Sequence, residues 1–523
     1  NPKNHEALLL NGSLLAVKDN ADGALAEYRK AVQAKPDFLL AHAAIISSLF
    51  RQGKLDEANT QIDVLKKIAP KNPQTIYFDA QASYQRKDYK AARELTQQLL
   101  KIAPNNPNSL QLAGAVEFQL RSFIQAESYL SKALQQAPEL PLARKLLISS
   151  YLRAGQPAKA LSTLQPVLDK IEKDPMLLSL AGETYLQNGD AAKAADYFAK
   201  ASKLDPNDAA KKTSLALAHM AQGNMAGSFD ELEQIAVSDK GTTADLALIA
   251  AYLRTNQADK ALKAIASLEK KQPDNPATHN LRARTLLTKK DVAGARQSFE
   301  KALAINPAFL PAAASLAALD LAEKKPEEAR KRFEAVLVAD PKNAPAMLAL
   351  AELRANNGGT PEEVAGLINK AVAANPTEVQ PRLALIQYYL NTKDNKKALT
   401  AANDALAAIP DKPEILDALG RTQQISGDLN QALTTYGKLA TLQPASPLAQ
   451  MRLAEIHIAS KNKDEAGKSL KKALEIKPDL IEAQRGLILL AMDAKKPKEA
   501  LDVARQIQKQ RPKEAVGYVV EGD

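Results

Sequence analysis

In the stretch LAGETYLQNGDAAKAADYFAKASKLDP, residues 180–206, Gly182 and Tyr185 precede the polar turn Asn188-Gly189-Asp190, and Ala194, Phe198 and Ala201 follow it before Pro206. Apolar positions three, four and seven residues apart on either side of a single break predict two antiparallel helices joined by a tight turn. Small residues at the Gly182 and Ala194 places let the helices approach, and Phe198 fills the gap toward a neighbour. The proline forbids continuation of the second helix and biases its predecessor away from helical geometry.

The pattern recurs. Steps of thirty-four residues back from Pro206 reach Glu172, Pro138, Pro104, Pro70, Pro36 and Pro2; forward they reach Lys240, drop one residue, and resume at Pro273, Pro307 and Pro341. One residue is gained near Gly358-Gly359, and Pro376, Pro410, Pro444, Pro478 and Pro512 follow. A fixed period in this range is the signature of a solenoid, in which each hairpin leans on the next. Ordering one unit costs about 50 kcal/mol, which takes about 2,000 Å² of apolar burial at ~25 cal/mol per Å², more than two short helices supply alone.

The expected domain is therefore a continuous array over 5–512, about fifteen units long, with irregular units near 209–241 and 345–376 and the start of a truncated further repeat at 513–523. In the seventh unit Ser228 replaces the usual alanine, and in the eleventh Gly358-Gly359 adds a residue; both are expected to bend the superhelix. The opening Asn1-Pro2-Lys3-Asn4 and a closing helix that would expose Tyr518, Val519 and Val520 suggest an excerpt of a longer repeat protein.

Composition narrows the chemistry. With tryptophan absent and aromatics scarce, alanine and leucine are the main packing material, which favours closely approaching helices. The net charge of +10 is small for 523 residues, and doubled lysines such as Lys211-Lys212, Lys289-Lys290 and Lys396-Lys397 fall in or beside turns. They read as solvated edges rather than a nucleic-acid stripe. The absence of cysteine excludes disulfides and thiolate metal sites. The longest uncharged run, 302–319, carries Pro307 and Pro311 and reads as two helices meeting at a turn, not a membrane span.

The Gly, Tyr, Gly-Asp, Ala, Phe, Ala, Pro series resembles the tetratricopeptide repeat (TPR) across essentially the whole chain. That resemblance implies an all-α fold of helix-turn-helix repeats stacked into a right-handed superhelical solenoid, with a concave groove lined by the first helix of each pair.

No residue set points to catalysis, metal or cofactor. His5, His42, His219, His279 and His457 are scattered, and none forms the i, i+4 pair of a helical metal site; packing or groove lining explains them. Gly467-Lys468-Ser469 lacks the leading glycine of a phosphate loop, because residue 462 is asparagine. The sequon Asn11-Gly12-Ser13 contains a packing glycine. Glu327-Glu328 and Glu362-Glu363 begin second helices, where negative charge complements the dipole. No nucleophile has a base and an orienting partner, so the chain is read as a non-enzyme.

If the family geometry holds, the groove carries Arg51, Tyr77, Gln81, Tyr84, Gln85, Gln111, Phe118, Gln119, Lys145 and Arg153 in the first part, and Arg254, Asn280, Arg284, Gln387 and Arg421 later. Aromatic faces, amides and arginines suit an extended peptide, or alternatively a sugar chain; Tyr84 and Phe118 serve equally as interhelical packing. The row Ser13, Ser47, Gln81, Ala115 and Ser149 lacks the asparagines of a terminal-carboxylate clamp.

The segments LDALGRTQQISGD (416–428), PRLALIQYYL (381–390), SLEKKQPDNPATHNLRA (267–283) and the closing EGD resemble one subfamily, the TPR lipoprotein of bacterial PEP-CTERM/exosortase systems. This resemblance implies a periplasmic protein, membrane-attached only through a lipid anchor outside the segment, that binds protein partners in exopolysaccharide production and protein sorting. Direct polysaccharide binding and a cytosolic adaptor are the alternatives.

Overall fold

The computed structural model describes residues 4–444, 446–512 and 514–522; Pro2, Asp523 and the Val520 side chain lie outside the described set. Among these residues there are thirty-one α-helices, one 3-10 helix and no strand. The all-α architecture is the expected one. In chain order the helices form fifteen helix-turn-helix hairpins, from His5–Val17 and Ala21–Ala34 to Ile481–Asp493 and Pro497–Gln510, and a short helix Val516–Gly522 packs on the last. Its Tyr518 and Val519 are exposed. The chain divides into two compact units, Asn1–Leu248 and Ile249–Asp523.

The turns explain the polar pair within each hairpin. One turn residue in every hairpin adopts the left-handed conformation, from Asp19 and Gly53 through Gly189 (φ 85°) to Lys461 and Lys495. The residue after it commonly caps the second helix: Asp190 accepts from the Lys193 amide at 3.0 Å, Asp291 from Gly294 at 2.9 Å and Asp394 from Lys397 at 3.1 Å. Asparagine and aspartate likewise open many first helices, including Asn72, Asn106, Asp174 and Asn343.

Within a hairpin, volume is matched across the two helices. A Cβ on Gly182 would come within 2.7 Å of the Phe198 ring, and one on Gly420 within 2.6 Å of Tyr436. Phe198 therefore fills space inside its own hairpin and not only toward a neighbour, although it also packs with Ala218 of the next. Where the first helix carries isoleucine the partner shrinks: Ile386 packs with Ala402, and Ile488 with Ala504.

Two departures interrupt the regular hairpin. The second helix of the fifth hairpin stops at Leu164 after eight residues and continues as the 3-10 segment Gln165–Lys170. Pro166, which has no N–H to donate, is the physical cause. In the eleventh hairpin the added Gly359 donates to the Arg354 carbonyl at 2.7 Å, and Thr360 with Glu363 forms a capping box for the helix Pro361–Ala374. Ser228 is buried in the seventh, its hydroxyl bonded to the Asn224 carbonyl at 2.7 Å.

Within each unit second helices pack on the following first helices, as Phe123–Gln136 does on Pro141–Arg153 and Asn395–Ala408 on Pro413–Ile425. First helices also touch one another. Pro107–Gln119, Pro141–Arg153 and Pro175–Gln187 do so in the first unit, and Ala344–Asn356, Val379–Asn391 and Pro413–Ile425 in the second. Within each unit the first helices thus form a common wall.

Candidate functional site on the first-helix face

Several of the residues expected on this wall have partners within the fold. Tyr77 packs into the cluster of Ile46, Leu65 and Phe78, and burial pushes its phenol up. Gln111 accepts from the Ala143 amide at 3.1 Å, across the junction to the next first helix. Lys145 pairs with Asp174 at 2.6 Å. Asp174 in turn caps the helix Pro175–Gln187 through the amides of Met176 and Leu177. Burial alone would raise the Asp174 carboxyl, but the Lys145 ammonium and these amides outweigh it and hold it below the usual carboxylate range.

The aromatic pair is divided between packing and surface. Phe118 is half-buried against the core around Leu147 and makes an edge contact with Phe123, ring centres 5.7 Å apart. Tyr84 is half-buried against Tyr89 and accepts from the Gln119 amide at 3.2 Å. Gln81 and Asn280 are half-buried, whereas Arg51, Gln85, Gln119, Arg153, Arg254, Arg284, Gln387 and Arg421 are exposed.

Two clefts in the second unit take in three of these residues. The smaller, about 540 Å³, lies beside Arg284, Thr285 and Thr288. Lys289 at its edge pairs with Asp259. The larger, about 610 Å³, runs along the first helices from Ala344–Asn356 to Pro447–Ala459 and brings Gln387 and Arg421 together. Its lining also includes Leu348, Leu383, Leu390 and Leu448, which the reading of single rows for polar and aromatic groups passed over. The available signal was leucine at one repeat position of consecutive first helices, Leu348 and Leu383.

Charges around the larger cleft are mostly matched. Arg452 donates from Nε to Asp417 at 2.8 Å and also meets Glu455 at 3.2 Å. Its hydrogen bond to the Asp417 carboxylate raises the guanidinium further above its ordinary value. Glu414 lies 3.9 Å from Lys412.

The histidines have packing roles where they are buried. His42 is 1% exposed, with Nε2 2.8 Å from the Pro36 carbonyl and Nδ1 2.5 Å from the Gln61 amide nitrogen. The Nδ1 atoms of His219 and His279 lie 3.1 Å from Glu231 and Glu269. Among the described residues no three metal-ligating side chains come together, and no helix is long and apolar enough to cross a membrane. Lys468 of the Gly-Lys-Ser triplet sits within the helix Lys463–Ile476, paired with Glu465 at 2.6 Å. Asn11 donates to Glu27 at 3.0 Å. Lys211, one of the doubled lysines, bridges Asp205 and Asp208 instead of standing free.

Family models described as tetratricopeptide repeat match residues 117–183, 286–353 and 425–485 in one form and 9–73, 179–244 and 246–308 in another. A Fis1 C-terminal tetratricopeptide repeat model matches 74–122. Together they span most of the chain. No curated protein matches by sequence. Similar solved structures include Naa15/Naa10 bound to HypK-THB, at 14% identity and a TM-score of 0.43, covering 99% of this chain and 95% of that one. The APC/C hetero-tetramer Cut9-Hcn1 is similar at 16% identity and a TM-score of 0.30, with coverages of 88% and 98%. Yeast Tom70 is similar at 15% identity and 0.37, with coverages of 91% and 99%.

Proposed function

The chain belongs to the tetratricopeptide-repeat family, and from that premise we propose a non-catalytic periplasmic scaffold that holds protein partners of bacterial exopolysaccharide production and PEP-CTERM protein sorting on its first-helix wall. One observation carries the reading. Two of the four segments on which the likeness to the exosortase-associated lipoproteins rests, 381–390 and 416–428, contribute Leu383, Gln387, Leu390, Asp417 and Arg421 to the lining of the larger cleft. An apolar cleft with a few placed polar groups is a binding surface, and its lining contains no nucleophile with an adjacent base.

Affinity capture from envelope extracts, run beside a glycan-binding assay, tests this. The expected outcome is capture of envelope proteins and no saturable glycan binding, with capture reduced about tenfold by Tyr84→Ala combined with Arg153→Ala, a loss of about 1.4 kcal/mol. Capture unchanged by these substitutions would remove the first-helix wall from the proposal, and glycan binding alone would move the function to the polymer. Fractionation of cells expressing the full gene, with the protein found in the cytosol, would replace the periplasmic scaffold by a cytosolic adaptor.

A further inference from the structure

Resting on that reading of the wall, we propose that the cleft across the first helices of the eleventh to fourteenth hairpins takes an extended peptide in which a large apolar side chain lies within two residues of a carboxylate. The floor is apolar and partly open: Leu348, Leu383, Ala384, Leu390, Ala418 and Leu448 line it without closing it. Alanines at one position of consecutive helices, 384 and 418, leave depth that the leucines on either side do not fill. About 610 Å³ lies within the range of ligand pockets and accommodates several residues of chain rather than one side chain.

Charge selects the neighbour of that side chain. The two carboxylates of the lining already have cations: Asp417 is held by Arg452, and Glu414 lies 3.9 Å from Lys412. Arg421 is the cation left over. It is exposed and lines the cleft, and no hydrogen bond or ion pair to it is found among the described residues. Its planar fork matches a carboxylate in two parallel hydrogen bonds, against a partly desolvated wall where such a pair is stronger than in water. Gln380, Gln387 and Gln443 place amides around the same opening. An amide offers both donor and acceptor, as a peptide backbone requires. No aromatic ring lines the cleft for a sugar face to stack on, and a single unpaired cation is too few for a nucleic-acid backbone.

The test uses the full chain and fluorescent nine-residue probes of glycine and serine carrying a central Leu-Phe-Glu, with Leu-Phe-Lys and Gly-Gly-Glu as counterparts, read by anisotropy. Wild type is expected to bind the Leu-Phe-Glu probe saturably and each counterpart about tenfold or more weakly. Arg421→Glu should reverse the Glu-over-Lys preference, and Leu383→Gln should weaken both probes while the helical signal is retained. Equal affinity for the Glu and Lys probes, no saturable binding of any probe, or an unchanged preference in Arg421→Glu would overturn the proposal. So would a Leu383-dependent self-association in sedimentation, or displacement of the probe by oligosaccharide. If the probes fail while Tyr84→Ala with Arg153→Ala still abolishes partner capture, the peptide class is wrong and the wall survives. If those substitutions also leave capture intact, the wall itself is wrong.

Discussion

At the scale of single residues, the repeat is maintained by conformational and volumetric demands rather than by residue identity. The turn position needs a positive φ, which glycine adopts without strain and other L-residues only at a cost of about 1–2 kcal/mol. Gly189→Ala (φ 85°) should therefore lower stability by about 1 kcal/mol. Lys324→Gly, at φ 59°, should be neutral or stabilising by less than that; urea midpoints of the two variants, compared with wild type, check the opposite signs. The matched volumes make a second prediction. Ala402→Phe against the existing Ile386 overpacks the twelfth hairpin by about 1–3 kcal/mol, and Ile386→Gly alone opens a cavity costing about 2–5 kcal/mol. Combined, they recreate the glycine and aromatic arrangement of Gly182 with Phe198, so the double variant should be more stable than the sum of the two losses by at least about 1 kcal/mol.

At the scale of helices, caps and ion pairs tie one hairpin to the next. Asp174 serves both ends of such a junction, capping its own helix and holding Lys145 in the first helix of the preceding hairpin. Asp174→Ala should cost about 1–2 kcal/mol, whereas Asp174→Asn keeps the cap and loses only the ion pair. The folded carboxyl is depressed, so its contribution is fully present above the unfolded value of about 3.9 and is lost as pH falls through the lower folded value. The stability gap between wild type and Asp174→Asn should accordingly be constant from about pH 5 upward and close in strong acid. Amide exchange at Met176 and Leu177 reads the effect locally. Ion pairs with a buried carboxylate recur between hairpins: Arg93 with Glu117, and Arg296 with Asp320, join a second helix to the following first helix at one register. They fix how successive hairpins meet: removing Arg93 would leave the Glu117 carboxylate buried without a cation, whereas Asp320 would keep a second partner in Arg332.

At the scale of the whole molecule, stability is a sum over neighbours. A lesion such as Ile386→Gly should speed hydrogen exchange in the hairpin Val379–Asn391 and Asn395–Ala408 and in those flanking it, and leave the hairpin Leu39–Arg51 and Leu55–Ile68 at wild-type rates. Uniform acceleration along the chain would contradict nearest-neighbour behaviour. Helices, turns and stopping points were legible in the sequence because each depends on a few neighbouring residues of one unit, whereas the facing of Gly182 by Phe198 across a hairpin was not, since the sequence placed Phe198 toward a neighbour. The 3-10 segment after Leu164 was written there too, in Pro166, but the thirty-four-residue rhythm masks it. What the tertiary structure alone decided is which side chains of the first helices remain free. Gln111 is taken by Ala143, Lys145 by Asp174 and Asp417 by Arg452, partners 29 to 35 positions away that meet only when hairpins stack. Arg421 and the leucines beside it emerge as a candidate surface for the same reason: burial and charge pairing at the wall are properties of neighbouring units, and no single repeat encodes them.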